Sequence, residues 1–314
     1  MKIIYLIHTH KDLEQIYRLV KIIKSSSPES YIIVIHNFKY SILDVEFLES
    51  LPKVKILKSS ERKLGSFSLV QEYLDVLDWV FSQNIEFDWL INLTGQDYPT
   101  QPLPQIEKFL AETEFDGFLE YFDALSDFEQ NTWKRGEGFD RYLYSYWWFY
   151  GYLQRWQRAF LKLPREIINS IQPFIRIKTQ YSLMVGIRST NLPFNDSFLC
   201  YAGSYFHTLS QNCIQYLYEF AQKNPDLVNY YKKTYLPDES FIQAILVNSK
   251  LFNLCNDNKR YMDYRKGLPY DGCRKLSSED YPILCKDDIH FARKFDIKYD
   301  SKILDMLDAR ILNT

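Results

Sequence analysis

The chain has 314 residues, 46% hydrophobic and 25% charged, enough for one large core or two modest ones and ordinary for a globular protein. Lys plus Arg number 38 against 40 Asp plus Glu, a formal net charge of −2 with no basic run or zinc-finger spacing, so nucleic acid is excluded as an expected partner. Cys200, Cys213, Cys255, Cys273 and Cys285 share no CxxC or Cys/His metal spacing and read as reduced thiols of a cytosolic protein. The aromatic share of 17%, with 25 Tyr and 22 Phe, serves equally for packing a core and for stacking on sugar rings.

Lys2 to Ile7 reads as a buried strand, too short for a membrane span or a cleaved leader. A polar turn, His8 to Asp12, leads into a helix whose apolar face is Leu13, Ile16, Leu19, Val20 and Ile23. Tyr31 to Ile35 is a second strand, ending at His36 to Ser41. Strand, helix, strand is how a parallel α/β sheet opens, and such sheets bind ligands beyond the carboxyl ends of their strands. His8, His10 and His36 are therefore candidate ligand-binding residues, or satisfied turn residues.

Val54 to Lys58 reads as a third strand, and Gly65-Ser-Phe-Ser-Leu-Val70 runs into a helix. Phe87 to Leu93 is a strand broken by Thr94-Gly-Gln-Asp-Tyr-Pro99, where Asp97 either meets a substrate or caps the turn. A strand from Asp116 to Phe122 precedes a polar loop, Asp123 to Arg141. Tyr142 to Trp156 then interleaves aromatic and basic residues, as in an interfacial amphipathic helix, a sugar-stacking lid or an insertion packed on its own domain. No linker divides the chain, so 1–314 reads as one domain, with a helical aromatic insertion over 140–180 and a basic segment over 256–314.

In Thr234 to Ser249, Pro237 suits a first helical position, Asp238 and Glu239 a first turn, and Phe241, Ile242, Ile245 and Leu246 recur at helical spacing. A carboxylate beside the unpaired N–H groups of a helix start is a candidate general base, and Glu239 takes that place. Ordinary acidic preference at a helix start is the competing explanation. Adjacent helical residues point about 100° apart, so Asp238 and Glu239 cannot flank one glycosidic bond as a glycosidase pair.

P-loop, dinucleotide-binding and nucleophile-elbow motifs are absent, which removes the main supports for kinase, dehydrogenase and esterase readings. No Asp-x-Asp occurs either, so no metal is expected, and a departing diphosphate needs another counter-charge. Tyr261 to Lys275 and Ile289 to Asp296 supply candidate cations, among them Arg293 and Lys294.

The chain resembles the core-2/I-branching glycosyltransferases, family 14, which include the peptide O-xylosyltransferases. The resemblance runs in order through His10-Lys-Asp-Leu-Glu14, Gly65 to Val70, Trp89 to Pro99, Ala202-Gly-Ser-Tyr-Phe206, Pro237-Asp-Glu-Ser-Phe241, Asn248-Ser249 and Phe291-Ala-Arg-Lys-Phe-Asp296. It implies a GT-A-like α/β fold, a mixed central sheet flanked by helices, and inverting transfer from a UDP-sugar without cofactor or divalent metal. It puts the base on Glu239 and the diphosphate-binding cations on Lys294 and Arg274, with Arg293 adjacent. The nucleotide side falls on His8, His10, His36, Gly65 and Asp97, and the acceptor side on Glu120, Trp133, Ser204 and Tyr205. Where many relatives have an acidic residue after the second strand, this chain has His36-Asn-Phe38, which leaves the donor open. The expectation is a compact, bacterial-type, cytoplasmic transferase of N-acetylglucosamine or xylose. Its acceptor would be a glycan or glycolipid, and 142–156 would be its peripheral contact with the inner membrane face. A catalytically silent carbohydrate binder is the alternative.

Overall fold

The computed structural model describes residues 1–60, 63, 65–126, 133–151, 153–264 and 272–312. In chain order the first part is β1 (Ile3–Thr9), α1 (Leu13–Ser26), β2 (Tyr31–His36), α2 (Val45–Glu49), β3 (Val54–Lys58), α3 (Ser68–Ser82) and β4 (Trp89–Thr94). Then come β5 (Asp97–Pro99), α4 (Leu103–Glu112), β6 (Gly117–Leu119), β7 (Phe122–Asp123), α5 (Glu137–Tyr142), β8 (Tyr144–Tyr150), α6 (Arg155–Ile171), β9 (Ile175–Lys178) and β10 (Leu183–Arg188). The chain closes with β11 (Tyr201–Ala202), β12 (His207–Ser210), α7 (Gln211–Lys223), α8 (Pro225–Tyr231), a 3-10 turn at Pro237–Glu239, α9 (Phe241–Ser249), β13 (Leu254–Cys255), β14 (Arg260–Met262), α10 (Tyr281–Leu284), β15 (Phe291–Arg293) and α11 (Lys302–Leu312).

The central sheet has seven strands in the order β13-β6-β12-β4-β1-β2-β3, and it is the mixed, helix-flanked sheet expected. β1 lies parallel to β2 and β4, whereas β12 runs antiparallel to β4 and β6. Every residue of β1 is buried because both faces are covered, as in parallel sheets flanked by helices. Alternation along β1 sends Ile3, Tyr5 and Ile7 into one core with α1, α4 and α11, and Ile4 and Leu6 into a second with α3, α7 and α9. A three-stranded sheet, β14-β15-β5, sits at the carboxyl end of β4 and pairs Arg293 with Asp97 in register.

Two local expectations change. Tyr142 to Trp156 is not one aromatic helix: it divides into β8, which alternates buried Tyr144 and Tyr146 with half-exposed Trp147, and the first turn of α6. The 140–180 segment thus holds a long helix and two outer strands of an antiparallel sheet, β8-β10-β9, whose middle strand follows at Leu183–Arg188.

Pro237 also does not begin the long helix. Ser240 is buried at φ −142°, donates from Oγ to the Tyr201 carbonyl (2.7 Å) and meets the Tyr231 hydroxyl (2.9 Å). These bonds pull it out of helical geometry, so Asp238 and Glu239 ride on a separate 3-10 turn and α9 starts at Phe241.

Candidate active site

Beyond the carboxyl ends of β1 and β4 opens a cleft of about 650 Å³. β12 enters the sheet from this side, so the loop Gly203 to Phe206 forms part of the wall. The loop is fixed from beneath: Gln243 Nε2 donates to the Ser204 carbonyl (2.6 Å), and Asn92 Nδ2 donates to that of Tyr205 (2.9 Å). Gly203 is required by close approach, because a Cβ there would lie 1.9 Å from the Glu120 carbonyl oxygen. Its N–H donates to the Glu239 carbonyl (2.8 Å), which ties this wall to the candidate base.

Glu239 lines the cleft with its side chain 30% exposed. Its Oε2 is held by Arg141 Nη1. Arg141, nearly buried on α5, also donates through Nε to Glu137 Oε1 (3.1 Å), and its guanidinium lies 3.7 Å from the centre of the Trp133 ring. The carboxylate is therefore oriented by a stacked, doubly engaged arginine rather than by the start of a long helix. Asp238 lines the same cleft, and burial together with the charge of Glu239 pushes its carboxyl up, against the pull of Arg141.

Arg260, Arg293 and Lys294 line the same cleft. The Arg293 guanidinium sits 4.2 Å from the centre of the Phe206 ring, with Nε 3.2 Å from Asp97 Oδ1 at an angle that makes an ion pair but no hydrogen bond. Arg260 donates to the carbonyls of Asn92 (3.0 Å), His207 (2.9 Å) and Asn258 (2.6 Å), and its buried Nε has no hydrogen-bond partner. Burial pulls Arg260 down to about 10, with Asp97 opposing and Arg293 adding to the fall. Arg260 remains protonated at neutral pH, and the guanidinium groups of Arg260 and Arg293 that line the cleft suit an anion in it.

A polar chain underlies the floor. The Tyr205 hydroxyl lies 2.9 Å from His8 Nε2, and His8 Nδ1 lies 3.7 Å from buried Glu72. The Tyr73 hydroxyl donates to His207 Nε2 (2.9 Å), and His207 Nδ1–H donates to the Tyr205 carbonyl (3.0 Å). Burial holds His207 neutral, at about 3.

The cleft thus gathers His8, His10, Glu120, Trp133, Ser204, Tyr205, Glu239, Arg293 and Lys294 of the residues expected from sequence. It does not gather His36, Gly65, Asp97 or Arg274. His36 is buried between Thr9 Oγ1 (2.8 Å from Nδ1) and the Ser41 carbonyl (2.9 Å from Nε2). Gly65, at φ +79° against the Tyr235 ring, accepts the Leu236 N–H (2.9 Å) and so anchors the turn that carries Glu239. Asp97 is fully buried and accepts from the Thr94 N–H and, at 2.7 Å, from Thr94 Oγ1, the turn-capping role. Arg274 is spanned by Asp263 and Asp280 and braces its own loop, of which residues 265–271 lie outside the described residues.

Arg141 had no sequence signal, and Arg260 had only its place in the basic segment 256–314. Each stands in a polar stretch without periodicity, and its meaning comes from partners far along the chain. Among the described residues, no three His, Cys, Asp or Glu side chains are grouped so as to hold a metal ion.

A mixed α/β sheet with a polar cleft at its strand ends, lined by a carboxylate and by cations, defines a ligand-binding α/β protein. The Core-2/I-Branching enzyme family model matches residues 3–144, a little under half of the chain. Glu239, Arg260 and Lys294 lie beyond the matched residues. No curated protein matches the chain.

Similar solved structures include a cytidylyltransferase from Leptospira borgpetersenii serovar Hardjo-bovis (17% identity, 41% of this chain and 56% of that one, TM-score 0.26). A putative glucose-1-phosphate thymidylyltransferase from Bacillus anthracis is 12% identical over 73% of this chain and 82% of that one (TM-score 0.30). A nucleoside-diphosphate-sugar pyrophosphorylase from Vibrio cholerae RC9 is 10% identical over 80% and 89% (TM-score 0.32). This chain spans little more than half the length of the cytidylyltransferase.

Proposed function

We propose that the protein is an inverting, metal-independent glycosyltransferase of GT-A-like arrangement. It moves N-acetylglucosamine or xylose from a UDP-sugar to a hydroxyl of a glycan or glycolipid, in the cytoplasm and in peripheral contact with a membrane. The observation that carries this reading is that Glu239 and the cations Arg260, Arg293 and Lys294 line one cleft.

In that arrangement the carboxylate of Glu239 takes the proton of the acceptor hydroxyl as its oxygen attacks the anomeric carbon from the face opposite UDP. The bond from the anomeric carbon to the β-phosphate oxygen breaks, its electron pair leaves with UDP, and the cationic wall receives the charge that builds on the diphosphate. Arg141 fixes the carboxylate, and Trp133, Tyr205 and Phe206 give the cleft an aromatic lining.

Mass-spectrometric screening of UDP-sugars against an acceptor panel, with calorimetric titration of UDP alone, tests the proposal. Transfer of a single sugar with UDP release is the expected result. Sugar binding with no response to UDP would make the protein a silent carbohydrate binder.

A further inference from the structure

The helix α6 is organised around a face that nothing described in this chain covers. Trp156, Phe160, Leu163, Ile167 and Ile171 follow one another at spacings of three and four and are each between 50% and 76% exposed. The helix is not a loose appendage. A Gln154–Gln157 capping box fixes its start, and Asn169 clamps its inner side to β9 by donating to the Ile177 carbonyl (3.0 Å) and accepting the Ile177 N–H (2.8 Å). None of its residues is buried, so the apolar face contributes little to the core it leaves behind.

Its charge says what covers it. Arg155, Arg158, Lys162 and Arg165 lie on α6 against one acid, Glu166, which Arg165 engages at 3.4 Å. This local excess of positive charge stands out in a chain of net charge −2. A second copy meeting the same face would bring two such basic helices together, whereas an anionic surface would neutralise their charge. An apolar face that includes Trp, backed by a polar face that carries the exposed Arg155 and Lys162, is the pattern of a helix lying in a lipid interface. No helix among the described residues is long and apolar enough to cross a membrane.

We propose that the exposed face of α6 docks the protein on an anionic lipid bilayer, with Trp156, Phe160, Leu163, Ile167 and Ile171 entering the headgroup region and Arg155 and Lys162 meeting lipid phosphates. The docked unit is joined to the cleft. Arg176 and Lys178 of β9 grip Asp140 (2.8 and 2.9 Å), the residue before Arg141, which holds Glu239. Docking would therefore hold the segment that carries Arg141 in a fixed relation to the lipid surface, from which a lipid-linked acceptor would present its hydroxyl. That last step rests on the transferase reading, and lipid binding itself does not.

Flotation of the whole chain with vesicles tests it without any turnover. Vesicles of equal parts phosphatidylcholine and phosphatidylglycerol should carry the protein, and phosphatidylcholine alone should carry far less. The charge-reversing pair Arg155→Glu and Lys162→Glu should lower the bound fraction on the order of tenfold or more. Trp156→Ser with Phe160→Ser should abolish binding, with thermal unfolding unchanged because neither residue is buried. If the wild type stays with the unbound fraction, or if the serine variant floats as well as the wild type, the proposal fails. It also fails if the wild type elutes from size exclusion as a dimer that the serine variant makes monomeric. Transfer to a soluble acceptor that persists in a variant unable to float would separate the docking from the catalytic reading.

Discussion

Arg141 Nη1 and Glu239 Oε2 form an ion pair across 98 residues of sequence, and the same arginine stacks on Trp133 and binds Glu137. The pair leaves the carboxylate partly exposed on the cleft wall while fixing where it points. Catalysis by a positioned base depends on such orientation as much as on the base itself.

Glu239→Gln keeps the size of the side chain and removes the proton acceptor, so turnover should fall by roughly 10² or more with UDP affinity little changed. Arg141→Lys should keep the fold yet lower turnover, because an ammonium cannot span Glu137 and Glu239 or stack on Trp133. Arg141→Ala should also destabilise the protein, on the order of 3 kcal/mol, by leaving two partly buried carboxylates without their shared cation. Steady-state kinetics and chemical denaturation read the two effects apart. Wild-type turnover in Glu239→Gln would remove Glu239 from the mechanism.

The backbone beneath the cleft allows a purely steric prediction. A Cβ on Gly203 would meet the Glu120 carbonyl oxygen at 1.9 Å and its carbon at 2.6 Å, backbone atoms that cannot swing aside. Gly203→Ala should cost on the order of 2 to 3 kcal/mol and disturb the wall that Glu239 shares. At Gly65 the positive φ and the Tyr235 ring predict a smaller loss, about 1 to 2 kcal/mol for alanine. Urea midpoints order the two variants, and a neutral Gly203→Ala would contradict the packing.

How much of this was legible in the sequence depends on whether the deciding contact is local. The strands and the loops at their carboxyl ends follow from apolar runs and turn residues, and so His8 and Glu239 reach the cleft. The two histidines at the ends of β1 and β2 look equivalent in sequence, but the register pairs Thr9, not His8, with His36. Alternation then turns His36 to the opposite face, where Thr9 and Ser41 satisfy it. Asp97 and Arg274 have the right residue type in the right segment, yet Thr94 and a carboxylate pair claim them. Arg141, Arg260 and the helix break at Ser240 are set by partners distant in sequence, which no periodicity encodes.

The cationic wall should do the work that a metal ion does elsewhere. Transfer should survive excess EDTA, while Lys294→Ala should lose on the order of 10² to 10³ in turnover, as when one preorganised donor is removed from a developing charge. Lys294→Arg should restore only part of it, since a planar fork does not fit the place of a compact ammonium. Should EDTA abolish transfer and manganese restore it, the metal-free mechanism is wrong.

The last prediction turns on Asp238, whose carboxyl is raised by burial and by the neighbouring charge of Glu239. As pH rises above the ordinary carboxylate range, the unfolded chain gives up this proton before the folded chain does. The folded state then binds more protons than the unfolded one, so this group's contribution to stability falls through the window up to its raised value, about 7. His207 and His290 act with the opposite sign. Both are buried, neutral and held down at about 3, so they cost stability as pH falls below the ordinary histidine range. A raw stability profile mixes the two, but the difference between Asp238→Asn and wild type isolates the first. The melting temperature of Asp238→Asn relative to wild type should be unchanged or slightly lower near pH 4 and rise by a few degrees toward pH 8. Repeating the comparison in the Glu239→Gln background should shrink the rise, because one cause of the raised value has been removed. A difference that stays flat across this range would mean that Asp238 ionises as readily in the folded protein as in the unfolded chain.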